Sequence, residues 1–267
     1  MLVFWYYIAM IIDTHAHLDM LNDPKLAIEE ALSVGVKKII IPGVEPDTFE
    51  KVLDLAHKYE NVYAQLGVHP SEAQKFNDDI AKKIIELAQD KKVVAIGEIG
   101  LDYYWDKTFV DVQKRVFKTQ IEIANMLNLP IVVHDREAHK DTFDILEQMG
   151  AKKVLMHCFS GSLEFALECI KKGWFIALGG VVTFKNAKKV REVAHKIPLE
   201  NIMLETDTPY LTPHPHRGEE NAPKYIIFTA KEIANLKDTA LSEVRNITSK
   251  NATEFFSLEE SQSESTV

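Results

Sequence analysis

The chain of 267 residues is poor in cysteine, in long apolar runs and in positive charge, and each shortage closes off a class of protein. Two cysteines, Cys158 and Cys169, are too few for a disulfide framework and fit no close zinc-ligand spacing. Both read as small buried hydrophobes in a reducing compartment, the cytoplasm. No run approaches the roughly 18 apolar residues that span a bilayer, so no transmembrane helix and no membrane partner is expected. Lysine and arginine number 31 against 40 aspartates and glutamates, for a net charge of −9. That balance excludes a broad basic face gripping nucleic-acid phosphates, though not a local basic rim. The opening MLVFWYYIAMII lacks the positive start and small-residue cleavage site of a secretory signal and runs straight into DTHAH. Residues 1–9 therefore read as an N-terminal extension ahead of a natural start at Met10. Linkers, charge blocks and internal repeats are missing too, so one domain is expected over residues 10–257. A polar tail follows at 258–267, and no feature calls for an obligate protein partner.

What the chain does contain is an alternation of short β-branched runs with longer amphipathic segments, the pattern of parallel strands joined by crossover helices. Strands are expected at 10–13, 37–43, 62–67, 93–100, 130–135, 153–159, 174–180 and 201–207. Their nearly continuous Val, Ile and Leu content suits strands covered on both faces. Segment 111–128 carries apolar residues at helical spacing, and Gly150 and Gly173 fall where helices hand over to strands. Eight βα units favour an α/β fold, a single (β/α)8 barrel, over an open doubly wound sheet. The latter would place a glycine-rich phosphate loop where DTHAHLD stands.

Most expected strands finish in polar residues that a purely structural barrel does not need, and catalytic groups of such barrels sit at the C-terminal strand ends. His15 and His17 follow the first strand at a spacing of two, which points both imidazoles one way if the backbone stays extended. Alone, the motif fits two surface histidines equally well. Glu98 lies inside the apolar run AIGEIG, where an unpaired carboxylate is costly, and no basic residue occupies a comparably apolar strand setting. Its two oxygens can bridge two cations. His134 and His157 each end an apolar run; a lone histidine there is more often a hydrogen-bonded core residue, but four at matched strand ends favour ligation. Asp207, in MLETDTPYL, can bind metal and accept a proton from water. Six nitrogen and oxygen donors suit magnesium, manganese or zinc without deciding among them. A cation pair on them implies hydrolysis, with Glu98 and Asp207 as the catalytic carboxylates.

Three segments, IIDTHAHLD, PIVVHDREAHKD and IPLENIMLETDTPYL, resemble the signature regions of the TatD family of metal-dependent deoxyribonucleases, and the likeness runs from Met10 to Phe256. GVHP, GEIGLDYY, HCFSG and RGEENAP are similar to further family segments in the family's order. The resemblance implies an amidohydrolase-type barrel with His15, His17 and Glu98 on one metal and Glu98, His134, His157 and Asp207 around a second. It also implies two divalent cations, Mg2+ foremost with Mn2+ or Zn2+ as alternatives, and a nuclease trimming 3′ ends of single-stranded DNA, as in DNA repair. RGEENAP departs from the expected form, NEP, and puts local loop contacts in doubt. Around the site, His69, Arg136 and Arg217 are candidates to meet substrate phosphate, with Lys185 weaker. Tyr103, Tyr104 and Trp105 can stack on bases or pack the loop. His57, His139 and His195 read as helix surface; His214 and His216 fit substrate contact or simple exposure.

Two rival functions remain. The same site can hydrolyse an ester or amide, such as the bond of a D-aminoacyl-tRNA, although Glu98 stands where a carbamylated lysine would mark a dihydroorotase-like enzyme. A noncatalytic metal-bound scaffold is disfavoured by the complete ligand set.

Overall fold

The computed structural model describes residues 10–105 and 107–258. Residues 1–9 and most of the polar tail thus lie outside the described residues. Eight parallel strands form one sheet in chain order: β1 (Ile11–Asp13), β2 (Val36–Gly43), β3 (Val62–Leu66), β4 (Val93–Asp102), β5 (Ile131–Arg136), β6 (Val154–Met156), β7 (Phe175–Leu178) and β8 (Ile202–Leu204). Helices α1 (Pro24–Ser33), α2 (Phe49–Lys58), α3 (Asp78–Leu87), α4 (Val110–Leu127), α5 (His139–Gln148), α6 (Leu163–Lys171), α7 (Lys188–Lys196) and α8 (Ile226–Lys237) follow the strands in turn, and α9 (Leu241–Phe256) is added at the end. This is the expected (β/α)8 barrel, and no helix among the described residues is long and apolar enough to cross a membrane.

Strand periodicity splits the core in two. On β2, Ile39 and Ile41 join a large cluster beneath the helices, whereas Ile40 joins a second cluster with Ile12, Val132, Leu155, Ala177 and Met203 inside the barrel. Phe255, Phe256 and Leu258 from the end of α9 belong to this inner cluster, and Ser249 Oγ donates to the Met10 carbonyl just before β1. Helix α9 therefore seals the N-terminal end of the barrel. Leu258, expected to open the polar tail, is buried there.

Strands β6 and β8 are shorter than their apolar runs because side chains take over backbone donors beyond them. Glu205 Oε1 accepts the Cys158 N–H at 2.7 Å, and Asp13 accepts the N–H and hydroxyl of Thr206 at 2.9 and 2.7 Å. The β1–β8 seam closes mainly past the strands, where Asp207 donates its N–H to His15 O at 2.9 Å and His17 donates to Thr208 O at 2.8 Å. Gly150 (φ +62°) and Gly173 (φ +77°) end α5 and α6 in the left-handed conformation, as expected. Gly100 answers a different need: a Cβ there would stand 1.9 Å from the His134 carbonyl, so only glycine lets β4 approach β5 at the level of the site.

Candidate metal centre

All six residues singled out at the strand ends converge in the barrel mouth. The extended backbone stops at Asp13, yet His15 and His17 still meet, with Nε2 atoms 3.3 Å apart. Two ligands at about 2.0–2.1 Å from a tetrahedral cation stand about 3.4 Å apart, so the pair already has ligand spacing. Glu98 lies at the junction. Its Oε2 is 3.3 Å from His15 Nε2, and its Oε1 faces His134 Nδ1 at 2.7 Å, His69 Nε2 at 3.6 Å and His157 Nε2 at 3.7 Å. Asp207 Oδ1 is 3.6 Å from His17, 3.8 Å from His157 and 4.0 Å from His15. It groups with the His15–His17 pair, whereas the resemblance assigned it to the second metal. Among the described residues the sequence reading missed a strongly buried basic strand residue, Lys38 on β2, which lies over the Tyr63 ring.

Three of the rings are held from behind, and these supports went unrecognised. His157 Nδ1 stands 2.8 Å from Glu205 Oε2, and His134 Nε2 stands 3.0 Å from Asp102 Oδ2. Both carboxylates are buried and fix which nitrogen looks inward. The Gln65 amide nitrogen stands 3.0 Å from His15 Nδ1, while its buried oxygen has no hydrogen-bond partner. Turned over, that amide accepts the Nδ1 proton and leaves Nε2 unprotonated toward the centre, the form a metal ligand requires. Glu205 did carry a signal: it lies two residues before Asp207 and shares its strand face. Gln65 carried none.

The charges follow from this packing. Burial disfavours charge on every group, but the imidazoles of His157, His69, His134 and His15 together hold Glu98 well below the carboxylate range. Against burial, Glu205 and Glu98 raise His157 to about 10, and Asp102 and Glu98 raise His134 to about 9. Burial and the neighbouring His134 push His69 down to about 3. Ser71 N–H donates to His69 Nδ1 at 3.1 Å, so the neutral ring carries its proton on Nε2, facing Glu98. Burial likewise raises Asp13 to about 8 despite its hydrogen bonds from Thr206 and His15. A divalent cation fits this donor set: the ligand atoms of His15, Glu98 and His157, of His15, His17 and Asp207, and of His69, Glu98 and His134 each lie within 4.8 Å of one another, and a cation would compensate the buried carboxylates among them.

The remaining candidates divide. Arg136, two residues past His134 on β5, lays its guanidinium 4.0 Å over the Tyr104 ring. Arg217 is engaged elsewhere, 4.0 Å over Phe184 and donating to the Thr212 carbonyl at 3.1 Å. Lys185 is exposed. His216 stacks on Tyr225 and sits 3.0 Å from Glu219, a loop-packing role. His57 is exposed, but His139 is not mere surface: its Nδ1 pairs with buried Asp135 at 2.7 Å. Cys169 is a core residue; Cys158 is only half-buried and turns the chain at φ +43° beside His157. Tyr103 packs on the core and donates its hydroxyl to Asp141 at 2.8 Å.

Comparison with known proteins agrees with the site. A family model described as TatD related DNase matches residues 12–257. YabD of Bacillus subtilis (strain 168), described as an uncharacterized metal-dependent hydrolase, is 44% identical over 252 residues, covering 92% of this chain and 99% of that protein. YcfH of Escherichia coli (strain K12), with the same description, is 34% identical over 263 residues, 96% of this chain and 98% of its own. The crystal structure of YjjV, a TatD homolog from Escherichia coli K12, matches with a TM-score of 0.89 at 31% identity, covering 94% of this chain and 100% of that one. With its barrel, its cluster of histidines and carboxylates and these matches along nearly its whole length, the chain belongs to the TatD family of metal-dependent hydrolases.

Proposed function

We propose that the chain is a two-metal phosphodiesterase of the cytoplasm, acting on single-stranded DNA from its 3′ end, with Mg2+ as the foremost cofactor. The observation that supports this most is Glu98, whose two oxygens face different sets of histidines across one buried point. Divalent cations held there supply Lewis-acid polarisation of a phosphoryl oxygen and acidify a water. His15, His17 and Asp207 would hold one cation and His134 and His157 the other, with Glu98 between the two groups. Asp207 is kept ionised against burial chiefly by His17 and His157, so at neutral pH its carboxylate is ready to take the proton of the attacking water. His69, neutral with its proton on Nε2, donates a hydrogen bond to a phosphate oxygen. Arg136 offers the bidentate cation at the rim. Arg217, bound to Phe184 and Thr212, shapes the loop after β8 instead.

The test is end-labelled single-stranded DNA, alongside an aminoacyl ester, given to chelator-stripped protein with and without Mg2+ or Mn2+. Cation-restored cleavage that shortens the strand from its 3′ end and is lost in Asp207→Asn supports the reading. Ester hydrolysis without DNA cleavage moves the same machinery to an aminoacyl-tRNA deacylase, and a function untouched by Asp207→Asn makes the chain a scaffold.

A further inference from the structure

Beside the centre, the loop after β4 exposes two large aromatic residues, Tyr104 at 49% and Trp105 at 74%. Their rings meet edge to face at 4.9 Å, and Arg136 lies over both, 4.0 Å from the Tyr104 centroid and 5.3 Å from that of Trp105. Trp105 also walls a cavity of about 90 Å³ with Pro70 and Phe109, and Ser71 and Gln74 form a polar edge. A single water needs only about 10–15 Å³ on the same measure, so this space admits a planar ring.

The cavity is tied to the centre by one carboxylate. Asp102 lines the cavity, and its Oδ2 holds His134 Nε2 at 3.0 Å. Its Oδ1 accepts the N–H groups of Tyr104 at 2.8 Å and Trp105 at 3.3 Å. One side chain thus fixes both a ring of the metal centre and the aromatic pair, so the cavity adjoins the centre through Asp102 and His134.

We infer that this cavity is a subsite for the unpaired nucleobase of the nucleotide carrying the scissile phosphate, with Trp105 as its stacking platform. The inference rests on the nucleic-acid reading above and explains how single strands are chosen: a base still paired in a duplex cannot turn into the cavity. Stacking tolerates any base, so the subsite selects strandedness more than sequence.

The experiment is calorimetric titration of the metal-loaded protein with dAMP, AMP and baseless deoxyribose 5-phosphate. Trp105 is exposed, so Trp105→Ala should keep its melting temperature. It is expected to bind dAMP roughly tenfold more weakly while binding deoxyribose 5-phosphate as wild type does, with Trp105→Phe within about threefold of wild type. Equal weakening of both ligands, or of neither, overturns the subsite. AMP binding no tighter than dAMP supports a DNA source for the base; AMP tighter by about tenfold overturns that source and points to an RNA 3′ end. Cleavage assays run in parallel separate the two readings. If wild type cleaves DNA and Trp105→Ala still binds dAMP normally, the subsite fails alone; if wild type cleaves no DNA but shows the base-dependent loss, the nuclease reading fails alone.

Discussion

The two ends of this barrel are built from the same strands and could hardly differ more. Toward the N-terminal end, Ile12, Val132, Leu155 and Met203 meet Phe255, Phe256 and Leu258 in an apolar plug. Two residues further along the same strand faces, Val132 gives way to His134, Leu155 to His157 and Met203 to Glu205, followed by Asp207. In the mouth His157 lies between the carboxylates of Glu98 and Glu205, whereas the plug is apolar but for Lys38, which lies over the Tyr63 ring at its edge. The contrast separates two tasks: the lower layer stabilises by burying apolar surface, and the upper layer spends stability on groups whose desolvation is repaired only by partners or cations.

Substitutions at the two ends should therefore fail in opposite ways. Glu98→Gln keeps the shape of the junction but removes the charge facing four histidines. We expect kcat/KM to fall on the order of 10³-fold, with metal content reduced and the melting temperature little changed, checked by steady-state kinetics and elemental analysis. Phe255→Ala at the plug should do the reverse, costing about 3–4 kcal/mol in denaturant unfolding while the folded fraction keeps wild-type kcat. A comparable loss of kcat in Phe255→Ala would show that the plug and the mouth are mechanically coupled. Glu205→Gln lies between these extremes, since its amide can still receive one ring N–H but no longer offers charge. A loss of roughly 10- to 100-fold in metal affinity is expected by titration, with folding intact.

How much of this contrast could be read in the sequence follows from what each residue's position depends on. Apolar runs bounded by helix-ending glycines are local signals, so all eight strands were legible, with the largest boundary errors at β6 and β8, where Glu205 and Asp13 capture backbone donors, and at β7, which stops at Leu178 before a 3-10 turn. His15, His17, His134, His157 and Asp207 were legible because each sits at or just past the end of such a run, and Glu98 because a carboxylate inside one is costly; barrel closure then brings them together. Their supports were not. Glu205 reaches His157 across 48 residues of chain and Gln65 reaches His15 across 50, so those partnerships depend on sheet register, which no local pattern reveals. The contact of Arg217 with Phe184 was hidden for the same reason, because nothing near it in the chain announces that ring.

The finest difference between the two ends is their proton content, and pH sharpens it. In the metal-free protein, Glu205 and Glu98 hold His157 at about 10, and Asp102 and Glu98 hold His134 at about 9, both above the ordinary 6.5. A folded-state pKa raised in this way contributes stability that is complete below about pH 6.5 and is lost as pH rises through about 9 and then about 10. Melting of the metal-free protein should therefore move to lower temperature across that window. Cations need the same nitrogens unprotonated, so full loading at pH 7 should release at least two protons, from His157 and His134, with a further share from His17, whose pKa Asp207 also raises against burial, read by calorimetry in buffers of different ionisation heat. Glu205→Gln should lower the release by about one, because His157 loses the nearer of the carboxylates that keep it charged. A wild-type release near zero would mean that the rings are already neutral, and that the mouth is poised for metal by geometry alone.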